Sequence, residues 1–334
     1  MNKYTDKKLK NQELVNFIKK FVSETSLELI EDCSTFLMFA SDESMEKKKQ
    51  YKGNSCKNRF CPVCSWKKAK KDALAISVMM KYLKQEENKE FIFLTLTAPN
   101  ISAEELNSEI KHYNKSFKRL MERKEVKKIA KGYIRKLEIT YNKDRFITKE
   151  MYKKGQAYYK NLGLKIGDNN PNYNTYHPHF HVLIAVNKSY FTDKEYYITH
   201  KRWLELWQES TKNPLITQVN VQKVSKSRDD KVYEVAKYSA KDSDYLVDEN
   251  VFEVFYRALK GKRLLVYSGL FSEANKKFKK GELDKYKEMD HTEYVYALMY
   301  NWGQSKYVEL EKRCLTEEEQ KDLNYQLMEE IEVE

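Results

Sequence analysis

The segment that most constrains the fold runs Tyr176-His177-Pro178-His179-Phe180-His181-Val182-Leu183-Ile184-Ala185-Val186. Side chains alternate along a strand, so His179 and His181 share one face. Phe180, Val182, Ile184 and Val186 share the other, which must bury against apolar cover. His177 has the same parity as the two histidines, but Pro178 is expected to break the strand there. Two imidazoles held side by side on a packed sheet are a ready pair of metal ligands. They are equally consistent with two solvated histidines on an open face. A carboxylate on a neighbouring strand decides between these readings. Glu138, in Lys136-Leu137-Glu138-Ile139-Thr140, alternates with Leu137 and Ile139 and can face the histidines. Two imidazoles and a carboxylate leave positions open for a substrate oxygen, as metal-assisted phosphoryl chemistry requires.

Cysteines make a second constellation. Cys56-Lys57-Asn58-Arg59-Phe60-Cys61-Pro62-Val63-Cys64 holds three of the five, and 22 residues separate Cys33 from Cys56. Four thiolates close a tetrahedron around zinc without an open position, so Cys33, Cys56, Cys61 and Cys64 are a candidate structural zinc site. Ordinary reduced cysteines are the alternative. The odd count and the lack of an apolar leader in MNKYTDKKLKNQ argue against a secreted disulfide framework. A redox Cys-x-x-Cys would follow a strand of a βαβ unit, whereas this one sits among lysines and arginines.

Around these motifs the chain reads as strands interleaved with helices. Strands are expected at Phe91–Thr97, Tyr133–Tyr141, Phe180–Val186 and Ile216–Val224. Helices are expected at Trp66–Leu83, up to Arg123, through Trp203 and Trp207, over Arg228–Lys241, and from Val251 to Lys260. Ser102 with Glu105, and Thr192 with Glu195, have the spacing of capping boxes. Residues 150–175 read as a loop or flexible hairpin. Gly-rich nucleotide-binding turns are lacking, so an α+β domain with an antiparallel sheet is favoured. Three regions follow: an N-terminal helical, Cys-rich, DNA-contacting module over 1–88, a catalytic domain over 89–265, and a helical acidic C-terminal region over 266–334.

Charge narrows the partner. Across 334 residues, 62 Lys and Arg face 50 Asp and Glu, a net charge of +12. Residues 281–334 carry −9, so residues 1–280 carry +21. A basic body suits an anionic polymer, and a solvated lysine-rich surface is the plainer reading. Mean hydropathy is −0.81 and no long apolar run occurs, so no membrane partner and a cytoplasmic, bacterial location are expected. The acidic tail, outside every motif, is expected to bind a partner or restrain non-specific DNA binding.

One more motif carries chemistry. In Lys231-Val-Tyr-Glu-Val-Ala-Lys-Tyr-Ser-Ala-Lys241, Glu234, Tyr238 and Lys241 are spaced i, i+4 and i+7, one face of a helix. A tyrosine attacks poorly at its usual pKa of about 10 unless a cation draws charge from the phosphate. Tyr233 and Tyr245 are rivals, and packing alone accounts for most tyrosines in a chain with 25.

In order, the CKNRFCPVC stretch, the strand FLTLT, Glu138 in IRKLEITYN, HPHFH and EVAKYSAK resemble one family. They are similar to the rolling-circle replication initiators of small bacterial plasmids, within the HUH endonuclease superfamily, over roughly residues 30–265. The resemblance implies a central antiparallel sheet flanked by helices, with the histidines on a middle strand and the tyrosine helix against it. It implies that Glu138, His179 and His181 hold Mg²⁺ or Mn²⁺. Tyr238 would nick a single strand at the double-strand origin, leaving a 5′-phosphotyrosyl link and a free 3′-OH primer. Lys241 would position the phosphate, and Glu234 would activate water at termination. Zinc in the cysteine module, plasmid origin DNA, a host helicase and possible homo-oligomers are the implied partners. The long segment 150–175 would be an origin-binding hairpin. Alternatives are an HUH transposase or relaxase, or a non-catalytic zinc-containing DNA-binding regulator.

Overall fold

A computed structural model describes residues 2–224, 235 and 240–333. Nine strands occur among them: β1 Phe36–Ser41, β2 Lys48–Gly53, β3 Lys89–Leu96, β4 Gly132–Asn142, β5 Thr175–Asn187, β6 Val219–Lys223, β7 Leu265–Gly269, β8 Tyr296–Gly303 and β9 Lys306–Cys314. Every strand pair is antiparallel, so the expected α+β class with an antiparallel sheet holds. The described residues divide into two compact units, one from 2–87 and 273–333 and the other from 88–224 and 240–272.

In the first unit a four-stranded sheet has the order β2-β1-β8-β9. Phe36–Ser41 runs along Tyr296–Asn301 in unbroken register. Met38, Ala40, Ala297, Leu315 and Leu323 form its apolar cluster with Tyr294. The segment expected as a helical acidic region therefore contributes two strands to the sheet that starts near the N-terminus. Long-range pairing overrides local composition here, because β8 (YALMYNWG) is apolar enough to bury while β9 carries the charge outward. Helix Pro62–Gln85 packs alongside, starting at Cys61 with Pro62 in its first turn, where the missing N–H is harmless.

In the second unit the order is β6-β3-β5-β4-β7, which puts β5, the histidine strand, in the middle. Helix Leu106–Glu122 covers the face that carries Phe180. Its Phe117 meets Phe180 edge-on at 5.7 Å between ring centroids and Tyr133 at 5.1 Å. Phe255 of helix Glu249–Leu259 meets Tyr176 on the same face at 5.6 Å. Helix His200–Thr211 contributes the fully buried Trp203 and Trp207. Each such large side chain contributes about 1.5–3 kcal/mol by leaving water, enough to fix which face of β5 turns inward.

Four local expectations change. Pro178 does not break the strand, since β5 starts at Thr175. Tyr176 exchanges backbone hydrogen bonds with Ile101, on the β3 side, so by alternation the imide nitrogen of Pro178 also faces that side. β3 has already ended there, its last pair being Leu96↔Phe180, and no ladder bond is lost. The helix after Ser102 begins only at Leu106, because the Ser102 hydroxyl and backbone N–H both donate to the Glu105 carboxylate instead of closing a full capping box. Thr199, not Thr192, caps the tryptophan helix, its hydroxyl accepting from the Arg202 N–H at 3.1 Å. Residues 150–175 hold two short helices, Lys149–Lys154 and Gln156–Asn161.

Candidate metal centres and nuclease site

β4 and β5 bring the Glu–His–His group together. Glu138 lies directly across from His179, and Lys136 across from His181, so all four side chains share the face opposite Phe180. The Glu138 Oε2 is 2.8 Å from His181 Nε2 and 3.5 Å from His179 Nε2. One ligand atom from each of the three residues falls within 4.8 Å of the others, and all three residues are buried. Burial pushes the Glu138 carboxyl up, but hydrogen bonds and charge from His179 and His181 outweigh it and hold it well below the usual range. It is therefore a carboxylate, the form that ligates.

The second atoms of the imidazoles are also placed. His179 Nδ1 is 3.1 Å from the His177 carbonyl, which fixes that nitrogen as the donor and leaves Nε2 free to ligate. His181 Nδ1 is 3.4 Å from the Thr95 hydroxyl, and its ring stacks on Phe93 at 5.5 Å. His177 stacks on His179 at 5.1 Å, and burial pushes its pKa down to about 4 with help from His179. Two histidines outside the group have structural bonds: His112 with the Thr211 carbonyl at 2.9 Å and His200 with the Val219 carbonyl at 2.7 Å.

Of the three residues expected to act on the phosphate, Tyr238 and Glu234 lie outside the described residues. Lys241 is described and exposed. Its backbone is extended, and it precedes a separate short helix, Asp242–Tyr245, that packs on β4. The one-face reading therefore does not carry as far as Lys241. Sequence reasoning missed two residues. Lys136 has the parity of Glu138 and was readable as such. Asp244 gives no signal beyond its nearness to Lys241, yet its Oδ2 is buried without a hydrogen-bond partner among the described residues. Burial raises its pKa to about 6, with Glu138 and Asp242 adding and Lys241 and Lys143 opposing.

In the first unit the four cysteines meet. Cys33 follows helix Glu24–Glu31, Cys56 follows β2, Cys61 caps helix Pro62–Gln85, and Cys64 lies in its first turn. Sγ separations are 3.5 Å for Cys33–Cys64, 3.6 Å for Cys56–Cys64 and 3.6 Å for Cys61–Cys33. A tetrahedron with metal–sulfur bonds of about 2.3 Å has edges of about 3.8 Å, so the set fits a single ion. All four are free thiols. The neighbouring sulfurs, Cys33 foremost, push the Cys61 thiol up. A support shell lies behind them. Lys8, 1% exposed, donates to Asn11 Oδ1 at 3.0 Å, the Glu31 carbonyl at 2.7 Å and the Cys33 carbonyl at 2.8 Å. Asn11 Nδ2 in turn donates to Cys61 Sγ at 3.5 Å.

Comparison with known proteins identifies the family. A family model described as "Replication protein" matches residues 47–308. A "Protein rep" of Staphylococcus aureus is 53% identical over 250 residues, covering 75% of this chain and 97% of its own length. A "Protein rep" of Streptococcus pneumoniae serotype 2 (strain D39 / NCTC 7466) is 31% identical over 278 residues, covering 81% of this chain and 78% of its own. One from Lentilactobacillus hilgardii is 28% identical over 294 residues, covering 84% of each chain. No solved structure matches the chain. The chain belongs to the replication protein family, as a plasmid replication initiator of the rolling-circle type. Among the described residues, no helix is long and apolar enough to cross a membrane.

Proposed function

We propose that this chain starts rolling-circle replication as an HUH-type tyrosine nickase at a plasmid double-strand origin. The observation that carries this reading is the buried Glu138–His179–His181 group on two central, adjacent strands. Glu138, His179 and His181 would hold Mg²⁺ or Mn²⁺, which when bound draws charge from the scissile phosphate. Tyr238 attacks the phosphorus of a single-stranded segment. Its oxygen forms the phosphotyrosyl bond to the 5′ side as the P–O3′ bond breaks, and the departing oxygen takes a proton to become the 3′-OH primer. Lys241 steadies the phosphate oxygens. Glu234 takes the proton from water in the hydrolytic step that releases the strand. Cys33, Cys56, Cys61 and Cys64 would hold structural zinc in a module over residues 1–88 that contacts duplex DNA, while 89–265 carries the chemistry. No G-x-x-x-x-G-K-[ST] stretch occurs in the sequence, so unwinding falls to a host helicase. The work is cytoplasmic, in a bacterium, and more than one copy of the chain acts at the origin.

The test is incubation with supercoiled and single-stranded origin DNA plus Mn²⁺, followed by a denaturing gel. A covalent protein–DNA adduct is expected. Duplex binding with no adduct on either DNA would leave a zinc-containing regulator and strike the nickase.

A further inference from the structure

The connection between β4 and β5 is far longer than a hairpin needs. It spans residues 143–174, and it is built rather than loose. Its two legs pair back: Ile147 N–H donates to the Asp168 carbonyl and Asn170 N–H to the Arg145 carbonyl, both at 2.9 Å. Ile147 and Tyr159 are buried, and Tyr152 stacks on Tyr159 at 5.8 Å.

On this scaffold sits an unusual surface. Phe146, Tyr158, Leu162, Ile166 and Tyr173 are 45–55% exposed. They are five of the fourteen exposed large hydrophobic side chains on the described residues, in a tenth of the chain. Residues 143–174 carry seven Lys or Arg and three Asp or Glu, a net charge of +4. Two of the acids are turned to their own chain: Glu150 pairs with Lys154 at 2.6 Å, and Asp168 accepts from the Lys165 N–H at 2.7 Å. Exposed rings among basic side chains suit a strand with open base faces and a phosphate backbone. A duplex hides those faces, so rings of this kind gain little from it.

The position of the surface matters as much as its chemistry. It grows from the last pair of the β4–β5 ladder, Asn142↔Thr175, four residues from Glu138↔His179. At about 3.4 Å per residue that is about 14 Å, the rise of about four stacked nucleotides.

We propose that residues 143–174 form a stacking platform for single-stranded DNA flanking the scissile phosphate. This deepens the nickase reading and rests on it for the identity of the strand, though not for the binding itself. The rings of Phe146, Tyr158 and Tyr173 receive bases, and Arg145, Lys153 and Lys160 meet phosphates.

The test uses the full chain at fixed salt without added Mg²⁺ or Mn²⁺, with a fluorescein-labelled single-stranded oligonucleotide of about 24 nucleotides and the same sequence as duplex. Anisotropy of the Phe146→Ala/Tyr158→Ala/Tyr173→Ala variant should show the single-strand Kd raised at least about tenfold, with the duplex Kd within about twofold. The Phe146→Tyr/Tyr158→Phe/Tyr173→Phe variant should bind both like the parent, since the rings remain. Unchanged single-strand affinity in the alanine variant, equal loss on both DNAs, or loss in the ring-preserving variant would each overturn the platform. The nickase reading is judged separately, by adduct formation. A parent chain that makes no adduct yet shows the single-strand loss would strike that reading and leave the platform standing.

Discussion

Glu138 stands across the ladder from His179, yet its carboxylate leans diagonally, so that Oε2 is closer to Nε2 of His181, at 2.8 Å. A bond between a carboxylate and a ring nitrogen is what a shared cation replaces. Mn²⁺ at about a hundredfold its Kd should therefore stabilise the parent by about 2.7 kcal/mol, seen as a higher melting temperature in calorimetry. Glu138→Ala and His181→Ala should lose that shift. An equal shift in both variants means that the ion sits elsewhere.

The nucleophile assignment rests on motif order rather than on coordinates. Tyr238→Phe removes the attacking oxygen and keeps the ring, so the adduct should vanish while DNA affinity stays within about twofold. Glu234→Ala should still nick but release the strand slowly, raising the adduct at late times. An adduct on Tyr238→Phe points to Tyr233, since Tyr245 is buried against Phe252 and Phe255, and loss of nicking in Glu234→Ala gives that carboxylate another task.

Sulfur separations put Cys33 on an equal footing with the other three cysteines. Purified parent should carry about one zinc per chain, and Cys33→Ser clearly less, because three thiolates leave the tetrahedron open. Chelation should loosen the N-terminal unit, read as a drop in its melting temperature. Full zinc in Cys33→Ser removes that residue from the site.

The two constellations were legible because each is local. The histidine strand is read from a period of two residues, and the cysteines from a Cys-x-x-Cys knuckle, with only Cys33 and Glu138 brought in from a distance. What local reading lost is long-range. Nothing in Phe36–Ser41 announces Tyr296–Asn301 as its partner some 260 residues on, so by local signal the tail reads as helical. Spacing to Glu195 makes Thr192 read as a cap, whereas Glu195 pairs with Lys128 in the fold. Lys241 fell on a helical face only while the helix was assumed to continue through Ala240.

That lesson revises what a tail deletion does. Removing residues 281–334 takes away β8 and β9, bares the edge of β1 and uncovers Met38 and Ala40. The expected result is loss of cooperative unfolding in the first unit and aggregation, ahead of any change in DNA affinity. A deletion that melts like the parent and binds non-specific DNA more tightly would restore the purely electrostatic role.

Asp244 offers a pH test that needs no substrate. Its carboxyl is pushed up to about 6 by burial, with Glu138 and Asp242 adding and Lys241 and Lys143 opposing. In the unfolded chain the value is about 3.9. The native state then holds the proton more tightly, so stability falls as pH rises from about 4 to 6 and levels off above. Two pKa units correspond to about 3 kcal/mol at most. Asn keeps the shape of the neutral acid and cannot ionise. Without added Mg²⁺ or Mn²⁺, Asp244→Asn and the parent should melt together near pH 4, and the variant should gain a lead of a few degrees that is complete by about pH 7. A gap that stays constant across this range would mean that the carboxyl is already ionised at its lower end, and that its buried oxygen has a partner in solution.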